Sequence, residues 1–318
     1  MPLKHTYTQT QYTMKTSSNR LKTILALFIL SGIAVSDSKA QLAPMGVQYF
    51  NAQYLANPAL AGIAQGSSFN LGYRQQWNSM PGAPVKQYVA GEFHMNDKVG
   101  LGFNLYNDAA GLLKKTRFTG TYAYHLPLDH KDQKLHFGFS IGYMNERISE
   151  EDIVGDPNDV AVGRFNQRAG YVDGDVGIAY SNSRLNIQAA VPNLKSFIKK
   201  EEIKTIDRAT FFSAVSYKWF LGESESLIVL EPKLCFRGVS GYKNIADLGA
   251  NMSVINNRLN FSAMYHTSKS STFGIGFNYQ SMALFGLYTT ENTQLRGEAN
   301  GVFEIGLKLN LKKGGANQ

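Results

Sequence analysis

The sequence predicts an all-β fold: a transmembrane antiparallel β-barrel of about fourteen strands with an N-terminal strap or plug segment. Three observations carry that expectation. Segments of roughly ten residues with period-2 alternation recur from residue 67 to residue 312. The connections between them are by turns tight and long, as in barrels whose two ends face different compartments. A leader-like stretch precedes them, and the one cysteine, Cys235, excludes an internal disulfide framework.

Residues 1–40 read as a signal peptide. Ile24 to Val35 is the only long apolar run, and it is too short for a helical span of ~20 residues. It follows Arg20 and Lys22 and ends at Ser38-Lys39-Ala40, so cleavage is expected after Ala40. Met14-Lys15 would make a more ordinary leader start, with residues 1–13 then over-called. The mass of the N-terminal peptide tests that point. No cysteine near the leader's exit suggests a lipid anchor. The chain has 318 residues, enough for one large domain, and a net charge of +8. That charge is scattered, which fits interior and loop positions better than a nucleic-acid surface.

Residues 41–66 form an N-terminal periplasmic or lumenal segment. It carries Tyr49, Phe50, Tyr54 and Leu55, then Asn57-Pro58-Ala59-Leu60-Ala61-Gly62. Pro58 fixes its own φ and moves Asn57 away from helix, so a turn is expected there. The small residues permit close packing. Two readings stay open: a strap across the barrel mouth, or a plug or docking peptide in the lumen.

The barrel is expected over 67–312, with strands near 67–76, 85–95, 98–107, 115–126, 134–147, 171–181, 183–191, 208–220, 226–238, 243–254, 257–266, 270–279, 281–290 and 301–312, and a tail at 313–318. In one strand Phe137, Phe139, Ile141 and Tyr143 face one way, and His136, Gly138, Ser140 and Gly142 the other. In the last, Phe303, Ile305, Leu307, Leu309 and Leu311 oppose Glu304, Gly306, Lys308 and Asn310. The face opposite the aromatics is small and polar, as at Gly100, Gly102, Gly274, Gly276 and Asn278. A soluble sandwich also alternates, but its strands are usually nearer 5–6 residues. In lipid, closure satisfies every backbone group and removes the edges. Tyr88, Tyr106, Tyr122, Tyr124, Tyr143, Tyr217, Trp219 and Tyr288 lie near strand ends and suggest an interfacial girdle.

Even-numbered connections are mostly tight: Asn96-Asp97, Asn182 with Ser183, Asn256-Asn257, and almost nothing between Tyr279 and Ser281. Odd ones at 77–84, 108–114, 148–170, 192–207 and 291–300 are long, and the fourth, 127–133, departs from the pattern. A periplasmic N-terminus puts the long loops outside the cell, in an outer membrane.

Motifs for catalysis are missing: no G-x-S-x-G elbow, paired-His metal motif or Walker loop is present. No catalytic residue, cofactor or metal is therefore expected. The histidines read as isolated. Ser262 and His266 share a strand face with Asn260 and Met264, which reads as lumen. Glu150, Glu151, Asp152, Asp156 and Asp159, with Asp173 and Asp175 beyond, offer oxygen ligands. The EF-hand spacing is absent, and Arg164 and Arg168 favour a solvated loop over calcium. Lys199, Lys200, Glu201, Glu202, Asp207 and Arg208 read as mixed surface charge. Cys235, between Leu234 and Phe236, reads as a small strand residue rather than a reactive thiol.

The run Gln48-Tyr49-Phe50, then Asn57-Pro58-Ala59-Leu60-Ala61-Gly62, Arg74-Gln75-Gln76-Trp77 and Pro81-Gly82-Ala83-Pro84, resembles the PorP/SprF family of the type IX secretion system. Gly100-Leu101-Gly102-Phe103, Tyr122-Ala123-Tyr124-His125-Leu126 and Phe303-Glu304-Ile305-Gly306-Leu307 extend the likeness over the mature chain. Its signature positions here are Asn57, Pro58, Ala61, Gly62, Arg74, Gln76, Trp77, Gly82 and Pro84. The resemblance implies an outer-membrane barrel linked to export or surface attachment of large adhesins, with no catalytic residue to carry over. One departure is the tail from Lys312 to Gln318, where barrels often end in an aromatic.

The expected function is non-enzymatic: a barrel that anchors, or assists export of, a large secreted adhesin or its C-terminal domain. Other type IX secretion components and outer-membrane lipid are its further partners. Residues 41–66 and loops 148–170 and 192–207 are the expected contact regions. The alternative is a passive outer-membrane pore or small-solute transporter, with Lys308, Glu304 and Arg117 ringing an open lumen. A barrel hydrolase is the third class, tested by turnover lost in Ser262→Ala.

Overall fold

The computed structural model describes residues 45–77, 81–128, 132–153, 160–195, 209–222, 228–239, 244–290 and 301–311. The leader, the tail at 313–318 and the charged stretch from Lys199 to Arg208 lie outside them. Alternation produces the strands β1 (Ser67–Gln76), β2 (Val85–Asn96), β3 (Val99–Ala110), β4 (Leu113–Pro127), β5 (Lys134–Ile148), β6 (Tyr171–Ser181) and β7 (Leu185–Val191). They continue as β8 in two pieces (Ala209–Tyr217 and Trp219–Leu221), β9 (Ile228–Val239), β10 (Ile245–Val254), β11 (Leu259–His266), β12 (Ser270–Tyr279), β13 (Met282–Thr289) and β14 (Val302–Leu311).

Each strand pairs antiparallel with its neighbours in sequence, and β14 returns to β1 from Ser67↔Leu311 to Gln76↔Val302. The two pieces of β8 pair with the same edge of β9, through Ser216↔Lys233 and Trp219↔Leu230, so they are one strand interrupted at Lys218. The result is a closed barrel of fourteen strands, which leaves no open edge. No helix among the described residues is long and apolar enough to cross a membrane. One short helix, α1 (Val160–Asn166), lies in the β5–β6 connection.

The ladder fixes which side chains point outward. Phe137, Phe139, Ile141 and Tyr143 are exposed on β5, and the opposed His136 and Ser140 are buried. On β14, Phe303, Ile305 and Leu311 are exposed and Glu304 is buried. An apolar exterior around a polar interior is the inverse of a soluble core, and it is what lipid requires. Two girdle tyrosines are corrected by this register. Tyr88 pairs with Gly72 and Tyr106 and is buried in the lumen, and Tyr106 lies on that same inner face. Tyr122, Tyr143, Trp219 and Tyr288 do face outward.

At the end where β1 begins and β14 stops, here the termini end, the connections Asp97-Lys98, 182–184, 255–258 and Gln280-Ser281 are tight, and 128–133 and 222–227 are longer. The far end also has a tight connection at 267–269. At the far end, the expected loop 108–114 is instead a two-residue turn. Asn107 and Asp108 continue the ladder against Thr116 and Lys115, and the chain reverses at Gly111-Leu112. Gly111, at φ +56°, takes the left-handed backbone that the turn needs, so polar composition did not mark a loop there.

Candidate functional site

The lumen is occupied by the chain itself. Residues 46–60 form three 3₁₀ turns, Gly46–Tyr49, Gln53–Leu55 and Pro58–Leu60. Asn57 caps the third, its Oδ1 accepting from Ala59 N at 3.0 Å, and Pro58 sits at the first position, where no donor is lost. The cap leaves the Asn57 amide nitrogen facing the wall. It lies 3.2 Å from Ile178 O, 3.3 Å from Ala189 O and 3.4 Å from Gln188 Oε1. One fully buried side chain thus ties the turn to β6 and β7 at once.

Glycines on the wall make the seat. A Cβ on Gly138 would collide with Ala59 and Pro58, on Gly177 with Asn57, on Gly100 with Ala61, and on Gly102 with Tyr54. The small inner face leaves room for an inserted segment, and the segment it admits is the chain's own. Gly62, at φ +68°, turns the chain out beside β2 and β3, where a side chain would strike Phe93 O and Gly100. Apolar contacts complete the fit: Val47 and Ala52 pack with Tyr88, Phe285 and Leu287, and Tyr49 packs with Phe212, Ala214, Cys235 and Met264. Cys235 is therefore a buried packing residue.

Polar anchors sit among these contacts. Asp247, fully buried, accepts from the Tyr49 hydroxyl at 2.8 Å, from Arg237 Nε at 2.9 Å and from His266 Nδ1 at 2.7 Å. His266 Nε2 pairs with the Thr272 hydroxyl at 2.7 Å, and Tyr49 stacks on the His266 ring. Burial raises the Tyr49 hydroxyl well above its ordinary pKa, so it stays protonated and donates. Lys233 Nζ donates to Tyr49 O and lies 4.8 Å over the Phe50 ring. On β14, Glu304 accepts from Val47 N at 3.3 Å.

A second set of anchors sits at the termini end. His125 Nε2 donates to Ala61 O at 3.1 Å, and its Nδ1 lies 2.8 Å from His136 Nδ1, whose Nε2 meets Ser181 Oγ at 2.8 Å. One imidazole must donate and the other accept, so the pair cannot be doubly protonated in this arrangement. His94 Nδ1 lies 3.0 Å from Gly62 O. Of the histidines expected to be isolated, His94, His125 and His136 thus stand together beside the Ala61–Gly62 carbonyls, while His266 binds Asp247 and His5 and His130 lie outside the described residues.

The nine signature positions fall into two groups. Asn57, Pro58, Ala61 and Gly62 belong to the lumenal segment. Arg74, Gln76, Trp77, Gly82 and Pro84 shape the far-end rim beside β1. Gln76 N donates to Pro84 O and Trp77 N to Gly301 O, both at 2.9 Å. Gly111 N donates to Gly82 O at 2.9 Å, so the β1–β2 loop leans on the β3–β4 turn. Arg74 is a buried lumen residue, paired in register with Glu304.

The other candidates separate. Asp175 pairs with Arg117 at 2.7 Å and accepts from Asn193 N, and Asp173 accepts from Lys195 N. These two line the lumen, away from Glu150, Glu151 and Asp152, which form a short exposed turn at the far end. Asp156 and Asp159 lie outside the described residues. Ser262 and His266 share the lumen face as expected, but the contacts of His266 are Asp247, Thr272 and Tyr49, not Ser262.

A family profile described as type IX secretion system membrane protein PorP/SprF matches residues 38–309, which span both signature groups. The chain belongs to the PorP/SprF family. No curated protein matches it. Among solved structures this PorP/SprF barrel is similar to the CymD monoaromatic hydrocarbon channel at 11% identity, over 86% of this chain and 95% of that one, with a TM-score of 0.49. It is also similar to the P. putida toluene transporter TodX (9% identity, 82% and 94% covered, TM-score 0.46) and to Acinetobacter baumannii Omp33 (6%, 79% and 100%, 0.45). Nothing about function follows from likenesses this distant.

Sequence reading of this PorP/SprF protein missed Asp247, Arg237 and the pairing of His125 with His136. A signal existed for the first two. Each is a charged residue at an inward position, Arg237 next to outward Phe236 and Asp247 next to outward Leu248. An inward charge in an apolar-out strand calls for a partner.

Asn57→Asp is expected to unseat the segment, because a carboxylate oxygen would face the three oxygen acceptors that the amide now serves. Limited proteolysis in detergent should cut the variant within 45–62 while the parent resists; equal resistance would show that Asn57 is not the tie.

Proposed function

We propose that this chain is a non-enzymatic outer-membrane holder that retains, or helps export, a large secreted surface protein, working beside other type IX secretion components. On this reading residues 1–40 are a cleaved leader, the termini end faces the periplasm and the far-end loops face outward. The observation that carries it is the filled lumen of a PorP/SprF barrel. The inserted segment contacts strands on every side, from Gly138 of β5 to Asp247 of β10 and Glu304 of β14. The charges that an open pore would present are engaged: Glu304 on Val47 N, Arg117 on Asp175, and Lys308 Nζ near Asn51 O at 3.5 Å. Toward the far end a small cavity of about 50 Å³ lies between Tyr54, Arg117, Asp175 and Pro192. The inserted segment and the engaged charges favour a holder over a passive pore or small-solute transporter.

Because residues 45–62 are bound to the barrel's own wall, the partner-contact reading moves from 41–66 to the far-end connections 148–170 and 192–207. Asn166 braces the first, its side chain bonding Ile148 N, Ile148 O and Glu150. Deleting 148–170 is expected to leave barrel assembly intact and abolish retention of the surface protein. Mild cross-linking, purification from outer membranes and mass spectrometry check it. A large secreted protein recovered with the parent and lost from the deletion supports the reading. Unchanged recovery removes that loop, and a barrel that repeatedly purifies alone moves the reading to the pore.

A further inference from the structure

The filled half of the lumen leaves a cavity of about 750 Å³ open at the termini end, between Phe50 and Asn51 of the inserted segment and the walls of β8 to β14. Its size is that of a ligand site, roughly 300–1,000 Å³, but its lining is unusual for one. It is rich in neutral amides, with Asn251, Asn260, Asn278 and Asn310 on the inner wall. Internal bonds use only part of them. Asn251 Nδ2 donates to Ser253, Ser253 to Asn260 Oδ1, and Asn278 Nδ2 to Asn257 O. Among the described residues, the carbonyl oxygens of Asn251 and Asn278 and the amide nitrogen of Asn260 keep no protein partner. Three adjacent strands, β10, β11 and β12, therefore present acceptor, donor and acceptor to one space.

The charges are asymmetric. Among the described lining residues Lys218 and Lys308 are the cations, Lys308 keeping donors beyond its contact with Asn51 O, and the one carboxylate, Glu231, lies 3.7 Å from Lys233. Phe50 and Phe220 supply apolar contact. We propose that this vestibule binds an extended acidic peptide segment of a partner protein. Free amide donors and acceptors match a peptide backbone without reading its sequence, and the two ammonium groups select acidic side chains. A glycan fits less well. Among the described lining residues there is no tyrosine or tryptophan face for a sugar ring, and the one carboxylate is ion-paired. This site lies at the opposite end from the loops assigned to the surface protein, so it adds a second partner and does not depend on the first.

Amide recognition tolerates sequence, so a generic probe is a fair test. A fluorescein-labelled octapeptide alternating valine and aspartate is titrated with the full barrel in detergent and followed by anisotropy. Saturable binding is expected, with the valine–lysine counterpart bound at least about tenfold more weakly. Lys218→Gln with Lys308→Gln should cost the acidic peptide about tenfold. Gly276→Phe should block it, since a Cβ there meets only ordinary contacts at 3.4 Å and beyond and the ring would enter the cavity. Heat-modifiable gel mobility checks that each variant is folded. No saturable binding, equal binding of the lysine peptide, unchanged binding by a folded Gly276→Phe barrel, or displacement by chitotetraose would overturn the proposal. Each of these outcomes is independent of whether deleting 148–170 releases the surface protein.

Discussion

Removing residues 45–62 is expected to turn a silent barrel into a conducting one. In a planar bilayer the parent should pass little current, because the segment closes the ring from both sides. Asn57 ties it to β6 and β7, and Tyr49 ties it to β10. The deletion should raise the current at least about tenfold, since a fourteen-strand wall without its insert encloses water. The deletion also exposes Phe212, Phe285 and Leu287, which pack against the segment, so a misfolded product is a real outcome. A second variant keeps the test decisive. Asn57→Asp keeps the segment in the chain and the apolar wall covered, and by loosening the tie to β6 and β7 it should also raise the current. A parent that conducts steadily, with Asn57→Asp conducting equally, would show that solutes pass around the segment and would restore the pore reading.

That experiment also separates what sequence can and cannot specify. The strands were legible because lipid imposes a strict rule, with apolar side chains outward at every second position. Phe137 to Tyr143 and Phe303 to Leu311 obey it residue by residue. The turn at Asn57-Pro58 was legible for a local reason, since Pro58 limits the backbone on both sides. The seat of that turn was not. Gly138 and Gly177 look like any small inward residues, and only the pairing of Gly138 with Gly177 and the approach of the segment give them meaning. Local rules failed at Asn107-Asp108 too, where polar residues stay in strands because their side chains lie near the rim. The histidines show the same limit. His125 and His136 meet because β4 and β5 pair in one register, and register depends on the whole hairpin.

Asp247→Ala is expected to be the most damaging single change in the wall. The carboxylate is fully buried and is shared by the Arg237 guanidinium, the His266 ring and the Tyr49 hydroxyl. Truncating it leaves a buried cation without that counter-charge, for which the cost is about 3–5 kcal/mol. It also removes an acceptor from Tyr49, so the inserted segment should loosen with the wall. Asp247→Asn keeps the shape and one acceptor but leaves the same buried cation uncompensated, so it should cost nearly as much. Equilibrium unfolding in lipid vesicles by urea, followed through Trp77 and Trp219, measures both. Adding Arg237→Met to Asp247→Ala should recover part of the loss, because the penalty comes from the charge left behind and not from the missing bond alone. A loss within about 1 kcal/mol for Asp247→Ala would mean that water already reaches the group, and a barrel wet at that depth is not sealed by Tyr49.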